Sequence, residues 1–218
     1  MDLFTPAPTR CRLGKVVKSN SHCDYVVQVD DAQDVCSPPS PEDCGFGQFV
    51  SFDNDSRHWA VGLVYNSQLF NPAFANSGPR LSSEPDPLFT PDLVQEIRTL
   101  LGVVLVGCLE KEDDSPEGKL SPRTYGKQGI PQVVVPANTS VYKMPPEQIH
   151  SFHCNQGGQT QFSYYSHLLR SGGMFAAQLA QQILAELVTS GLFSGADQKA
   201  LTVLSKELSW KNTLGAIR

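Results

Sequence analysis

Two rhythms of apolar and polar residues run through the chain, an alternating one before residue 145 and a helical one after it. Residues 12–17 and 24–30 read as strands. In the second, Tyr25-Val26-Val27-Gln28-Val29 has the β-branched and aromatic content of a pleated, half-buried surface. Asn20 and two serines between them predict a turn over residues 18–22. Residues 34–43 hold three prolines and read as a loop. Two further strands are predicted at 48–52 and 59–65, with the turn signal Asp53-Asn54-Asp55-Ser56 between them. Residues 66–87 read as a long connection rich in Pro, Asn and Ser. Thr90-Pro91-Asp92 has the residues of a helix start, and Leu93, Ile97, Leu100 and Leu101 follow at helical spacing. The run over 103–109 is almost wholly apolar, as in a strand buried on both faces, and it makes Cys108 a buried small hydrophobe. Residues 110–124, charged and holding Pro and Gly, read as an unpacked excursion, and 132–135 and 140–144 as short closing strands.

Beyond residue 145 the period changes. Pro145-Pro146 opens a short helix over 147–152, and a second over 159–170 puts Phe162, Tyr165, Leu168 and Leu169 on one face. Gly172-Gly173 interrupts it. Phe175, Leu179, Ile183 and Leu187 then form a stripe that Gly191 ends as a C-cap glycine would. Ser194 with Asp197 starts a last helix carrying Leu201, Leu204 and Leu208. The expected fold class is α+β, a small antiparallel β-barrel followed by a C-terminal helical segment. Its expected parts are a flexible tail over 1–10, a barrel over 11–144 with an inserted helix near 91–101, and a helical module over 145–218.

Composition narrows the function classes. Apolar residues are 40% of the 218, enough to fill a core in each part. Seventeen basic against 22 acidic residues, with no Lys/Arg cluster, argue against direct nucleic-acid binding, which needs concentrated positive charge. No apolar run resembles a signal segment or reaches the roughly 18 residues of a membrane span. The expectation is therefore a cytoplasmic protein without a membrane association. Its six cysteines, none in a CxxC pair, are expected to be reduced and to form no structural zinc site.

Four short segments occur in order in the predicted barrel: Gly14-Lys15-Val16-Val17, Tyr25-Val26-Val27-Gln28-Val29, Gly47-Gln48-Phe49-Val50 and Val61-Gly62-Leu63-Val64-Tyr65. This series resembles the HAS-barrel family, the small barrel shared by HerA-type ATPases and the crown of ATP-synthase catalytic subunits, over about residues 11–144. The resemblance implies a barrel that docks on a partner ATPase or assembles with copies of itself. The ATPase activity of the relatives does not carry over. No GxxxxGK[ST] element is present, and Gly157-Gly158-Gln159-Thr160 is too short and lacks the lysine.

Candidate chemistry is sparse. His150, His153 and Cys154, with His167 further on, have zinc-ligand side chains but no second ligand pair at a recognisable spacing, so no metal and no cofactor is expected. Ser21-His22-Cys23-Asp24 places a nucleophile beside a base and an acid. Neighbours along a strand point to opposite faces, however, and a backbone-bonded turn explains the serines and Asn20 equally well. The segment 66–81 mixes Leu69, Phe70 and Phe74 with Asn71-Pro72, Gly78-Pro79 and Arg80. Aromatic and Arg anchors on a stiffened loop suit a protein interface, and Phe70, Asn71, Phe74 and Arg80 are the candidate contacts. A loop folded over the barrel end would look the same. The stripe from Phe162 to Leu187 reads as intramolecular core, with Gly172-Gly173 and Ala176-Ala177 also permitting close approach to another subunit. The leading expectation is a non-catalytic binding or assembly module. A Cys/His- or metal-dependent hydrolase using His22, Cys23, His150 or His153, and a single-strand nucleic-acid binder, are the alternatives.

Overall fold

The computed structural model describes residues 10–53, 58–71, 97–111, 124–171 and 175–215. Among them are seven antiparallel strands: β1 (Arg12–Ser19), β2 (Asp24–Val29), β3 (Phe49–Asp53), β4 (His58–Phe70), β5 (Arg98–Lys111), β6 (Thr124–Gln128) and β7 (Ser140–Lys143). Six of them close into a ring in which β1 pairs with β2, β2 with β5, β5 with β4, β4 with β3, β3 with β7 and β7 with β1. Closure covers most of the sheet edges that would otherwise pair with other chains, while β6 and the end of β4 pair on one side among the described residues. β5 is the longest strand. Its residues 100–104 face β2, and farther along the same edge its residues 107–111 face β6.

Alternation fills two cores from one sheet. Phe52, Val64, Leu101, Val103 and Leu105 point into the barrel with Leu13, Val16, Tyr25, Val27 and Val141. Phe49, Val61, Leu63, Val104 and Val106 point outward and are equally buried, because the helices cover that face. The unbroken apolar run in β5 is the signature of burial on both sides. Cys108 lies near its end, past the fully buried residues 103–106, and is only half-buried, a correction to the expectation for it.

The helical layer consists of α1 (Pro146–Phe152), α2 (Tyr165–Ser171), α3 (Ala176–Thr189) and α4 (Gly195–Gly215). On α3, Ala176, Leu179, Ala180, Ile183, Leu184 and Leu187 make one buried face. That face joins Phe49, Val61, Val104, Leu168, Leu201 and Leu208 in a single cluster. The stripe is therefore used within the molecule. Gly191, at φ 71, ends the stretch as expected. α1 seats on β6 at Gly126, where a Cβ would lie 1.9 Å from the carbonyl oxygen of Phe152. Only glycine permits that approach.

Local pattern and fold disagree at several places. Residues 98–101, expected as the end of a helix, begin β5 instead; pairing with β2 and β4 on both sides overrides the local helical spacing. The remainder of that expected helix, with Thr90, Pro91, Asp92 and Leu93, lies outside the described residues. Residues 66–70, expected as loop, continue β4. β6 was not expected, since its TYGKQ sequence has no alternation of apolar residues to announce it. Residues 132–135 form no strand. Their Val135 N–H donates to the Tyr25 hydroxyl at 3.2 Å, and the Val135 side chain plugs the barrel core. The second helix starts at Tyr165 rather than 159, after residues 159–164 have wrapped the end of α1. Of the described helices, none is long and apolar enough to cross a membrane.

Candidate protein-binding surface

The sequence-derived contacts divide. Phe70 ends β4 and is 48% exposed, with Asn71 next to it half-buried; Phe74 and Arg80 lie outside the described residues. Leu69 is 77% exposed, and Ile97, just before β5, is also exposed. Leu69 pairs with Thr99 and Phe70 with Arg98, so these apolar residues sit on the two faces of the tip of one two-stranded ribbon. Arg98 is anchored in turn by the Asp31 carboxylate. Asp31 also accepts from the backbone N–H groups of Gln33 and Asp34, which holds its carboxyl below the usual range.

A cleft of about 280 Å³ opens beside this ribbon, between β4, the start of α3 and residues 44–46. Phe46 and Phe175 form its apolar walls, meeting edge-on with centroids 6.4 Å apart. Phe175, read from the sequence as the first core residue of α3, is instead about half exposed; it sits at the helix N-cap, where the buried face has not yet begun. Gln182 Nε2 donates to the Phe46 carbonyl at 2.8 Å and ties the wall to α3. Tyr65 lies flat over Gly102, where a Cβ would fall 3.0 Å from its ring, and its hydroxyl donates to Asp24 at 2.8 Å. Burial and that carboxylate push the phenol up to about 12. Cys44 also lines the cleft; burial, then the nearby Asp43 charge, raise its thiol to about 11, so it stays neutral. Sequence reading missed Phe46, Tyr65 and Phe175 as surface residues, since nothing local distinguishes a cleft aromatic from a core one.

The catalytic and metal candidates are dispersed. His22 Nε2 donates to the Pro131 carbonyl at 2.7 Å, Cys23 turns into the barrel core, and Asp24 accepts from Tyr65 and Asn20. Burial raises the Cys23 thiol, the opposite of nucleophile activation. His153 is fully buried among Phe49, Phe152, Phe162, Tyr164 and Phe193. Its Nδ1–H donates to the Ile149 carbonyl at 2.7 Å, which leaves Nε2 to accept from the Tyr164 hydroxyl at 3.0 Å. Burial lowers its pKa to about 4. Both ring nitrogens are thus spent inside the fold. His150 Nδ1 and Cys154 Sγ are 3.9 Å apart at the surface of that cluster, and His167 Nε2 is 3.1 Å from the Leu105 carbonyl. Among the described residues no group of three or more His, Cys, Asp or Glu side chains has metal-binding geometry.

The closed antiparallel barrel with its helical layer defines an α+β barrel protein. The chain belongs to the family described as domain of unknown function DUF8166, whose model matches residues 5–218 and so spans barrel and helices together. No curated protein matches it significantly.

Proposed function

We propose that this protein is a non-catalytic binding or assembly module of the HAS-barrel kind, which docks on a protein partner such as a HerA-type ATPase or associates with copies of itself. The observation that carries the reading is the ribbon tip, where Leu69, Phe70 and Ile97 are all exposed within a few residues, along the ribbon, of Ser67, which lines an apolar cleft. Clustered apolar side chains of this kind mark interaction surfaces. Two further points support it. The four segments that resemble the HAS-barrel series fall in order along β1, β2, the entry to β3, and β4 of a closed barrel. His22 and His153 are bonded to backbone carbonyls, and the Cys23 and Cys44 thiols are held neutral by burial.

The test is association. Sedimentation velocity of the pure chain, alone and with a HerA-type ATPase from the same host, should show a defined oligomer or complex. Phe70→Ala or Arg80→Ala should weaken it by about 1–3 kcal/mol, within the range of interface anchors. A chain that remains monomeric at high concentration, ignores the ATPase and turns over ester or amide substrates would overturn the reading.

A further inference from the structure

β4 is longer than the strand that covers it. β3 lies opposite its residues 58–63, and one more rung is closed by Gly47 N–H to the Val64 carbonyl (2.8 Å) and Val64 N–H to the Gln48 carbonyl (3.1 Å). The covering chain then departs through residues 44–46. β4 runs on to Phe70 bound to β5 alone, and no strand among the described residues pairs with its other side. The orientation of its backbone follows from the ladder. Val64 is turned toward β3, and the register steps from Val64↔Val103 to Asn66↔Gly102, so Tyr65 is one residue extra. Alternation after that step turns the N–H and C=O groups of Ser67 and Leu69 to the uncovered side.

An uncovered strand edge is a template for pairing, and folds normally defend it with lysine, proline or an inward charge. Residues 59–71, WAVGLVYNSQLFN, contain none of these; the bulge at Tyr65, itself an edge defence, lies before Ser67 and Leu69. The Phe46–Phe175 cleft opens along the same edge, with Val64, Tyr65 and Ser67 in its lining, and none of its lining side chains is ionised. A second cleft, of about 420 Å³, shares Ser67 and Cys44 with the first and leads on toward Pro38, Pro39 and Asp31.

We infer that the β4 edge receives an extended, uncharged segment of a partner protein as an added strand at Ser67 and Leu69, with an apolar side chain of that segment seated in the cleft against the Phe46 and Phe175 rings. This rests on the binding-module reading and specifies its mode. Backbone pairing supplies affinity in such complexes, and side-chain pockets beside the edge supply selectivity. The walls favour a single extended chain over a second copy of the protein. Phe46 and Phe175 line the same cleft as Val64 and Ser67, so a strand that carried its own sheet neighbours would meet them, whereas a lone peptide lies along the cleft.

Hydrogen–deuterium exchange on the full chain, with and without a peptide panned from a random display library, tests this. The Ser67 and Leu69 amides should exchange freely in the protein alone and become protected in the complex. Selected peptides should share an uncharged, apolar-alternating core. Phe175→Asp and Leu69→Lys, both at exposed side chains, should each lower peptide affinity about tenfold or more by calorimetry while leaving the circular dichroism unchanged. Val203→Ala, exposed on α4, should leave affinity as it is. Protection of both amides in the protein alone means that the chain itself or a second copy already fills the edge, and overturns the inference. Failure to enrich any peptide overturns it too. Peptides that bind but protect other amides overturn this mode while leaving the binding-module reading standing.

Discussion

His153 shows how far a single side chain can mislead when read by type alone. Its neutral tautomer is set by a carbonyl on one nitrogen and a hydroxyl on the other, inside a cage of aromatic rings. With a folded value of about 4 against an ordinary 6.5, the unfolded chain takes up the proton first as pH falls. Stability from this residue is therefore complete above about pH 6.5 and is lost progressively toward pH 4, with a ceiling on the order of 3 kcal/mol. Urea midpoints measured from about pH 7 to 4 should fall, and His153→Phe should flatten that slope even if its baseline is lower. Tyr164→Phe removes the donor to Nε2 and should cost about 1–2 kcal/mol at neutral pH, read from the same midpoints. The sequence could show a histidine among aromatics. It could not show that residues 149 and 164, on either side of a turn, would consume both nitrogens.

At the scale of elements, Gly126 is, with Gly14 against the Gln28 carbonyl, one of the two tightest joints among the described residues. Alanine there would drive a methyl into the Phe152 carbonyl, so β6 or α1 must shift. Gly126→Ala should lower stability by about 2–4 kcal/mol in chemical denaturation, whereas Gly157→Ala, with only the Asn155 side chain nearby, should cost less than about 1 kcal/mol. Elements that announce themselves are those whose burial matches their own repeat. β1 to β4, the core of β5 and the face of α3 were legible for that reason, because alternation or helical spacing coincides with what is covered. β6 was not, since it is held by Gly126 backbone contact and by Gln161 Nε2 donating to the Gly126 carbonyl at 2.6 Å. Leu100 and Leu101 misled in the opposite sense, their helical spacing to Ile97 being incidental to a strand paired on both sides. Of the proposed surface, the exposure of Phe70 and Leu69 agrees with the sequence reading, whereas the cleft arises from Phe46, Tyr65 and Phe175, which only the closed fold brings together.

For the molecule as a whole, the barrel and the helices are one folding unit. Phe49, Val61, Leu63, Val104 and Val106 are buried because the helical layer, from Phe152 of α1 to the face of α3, packs with them in one cluster. A chain ending at residue 144 should therefore bind the dye ANS and aggregate, while the full chain does neither, which light scattering and dye fluorescence would show. The order in which the ring is stitched has its own consequence. β1 and β2 can zip as a hairpin, and so can β3 and β4, but the ring waits for Tyr25 to find Val103 and for Arg12 to find Tyr142. On a ribosome, β1 and β2 must stand by until β5 and then β7 have emerged, and the helices that shield the outer face arrive last. At about 5–20 residues per second, that wait is on the order of ten seconds. Through that interval the nascent chain carries an open sheet with sticky margins, so its yield in a cell is governed by holdase chaperones and by the pace of translation more than by the stability of the finished barrel.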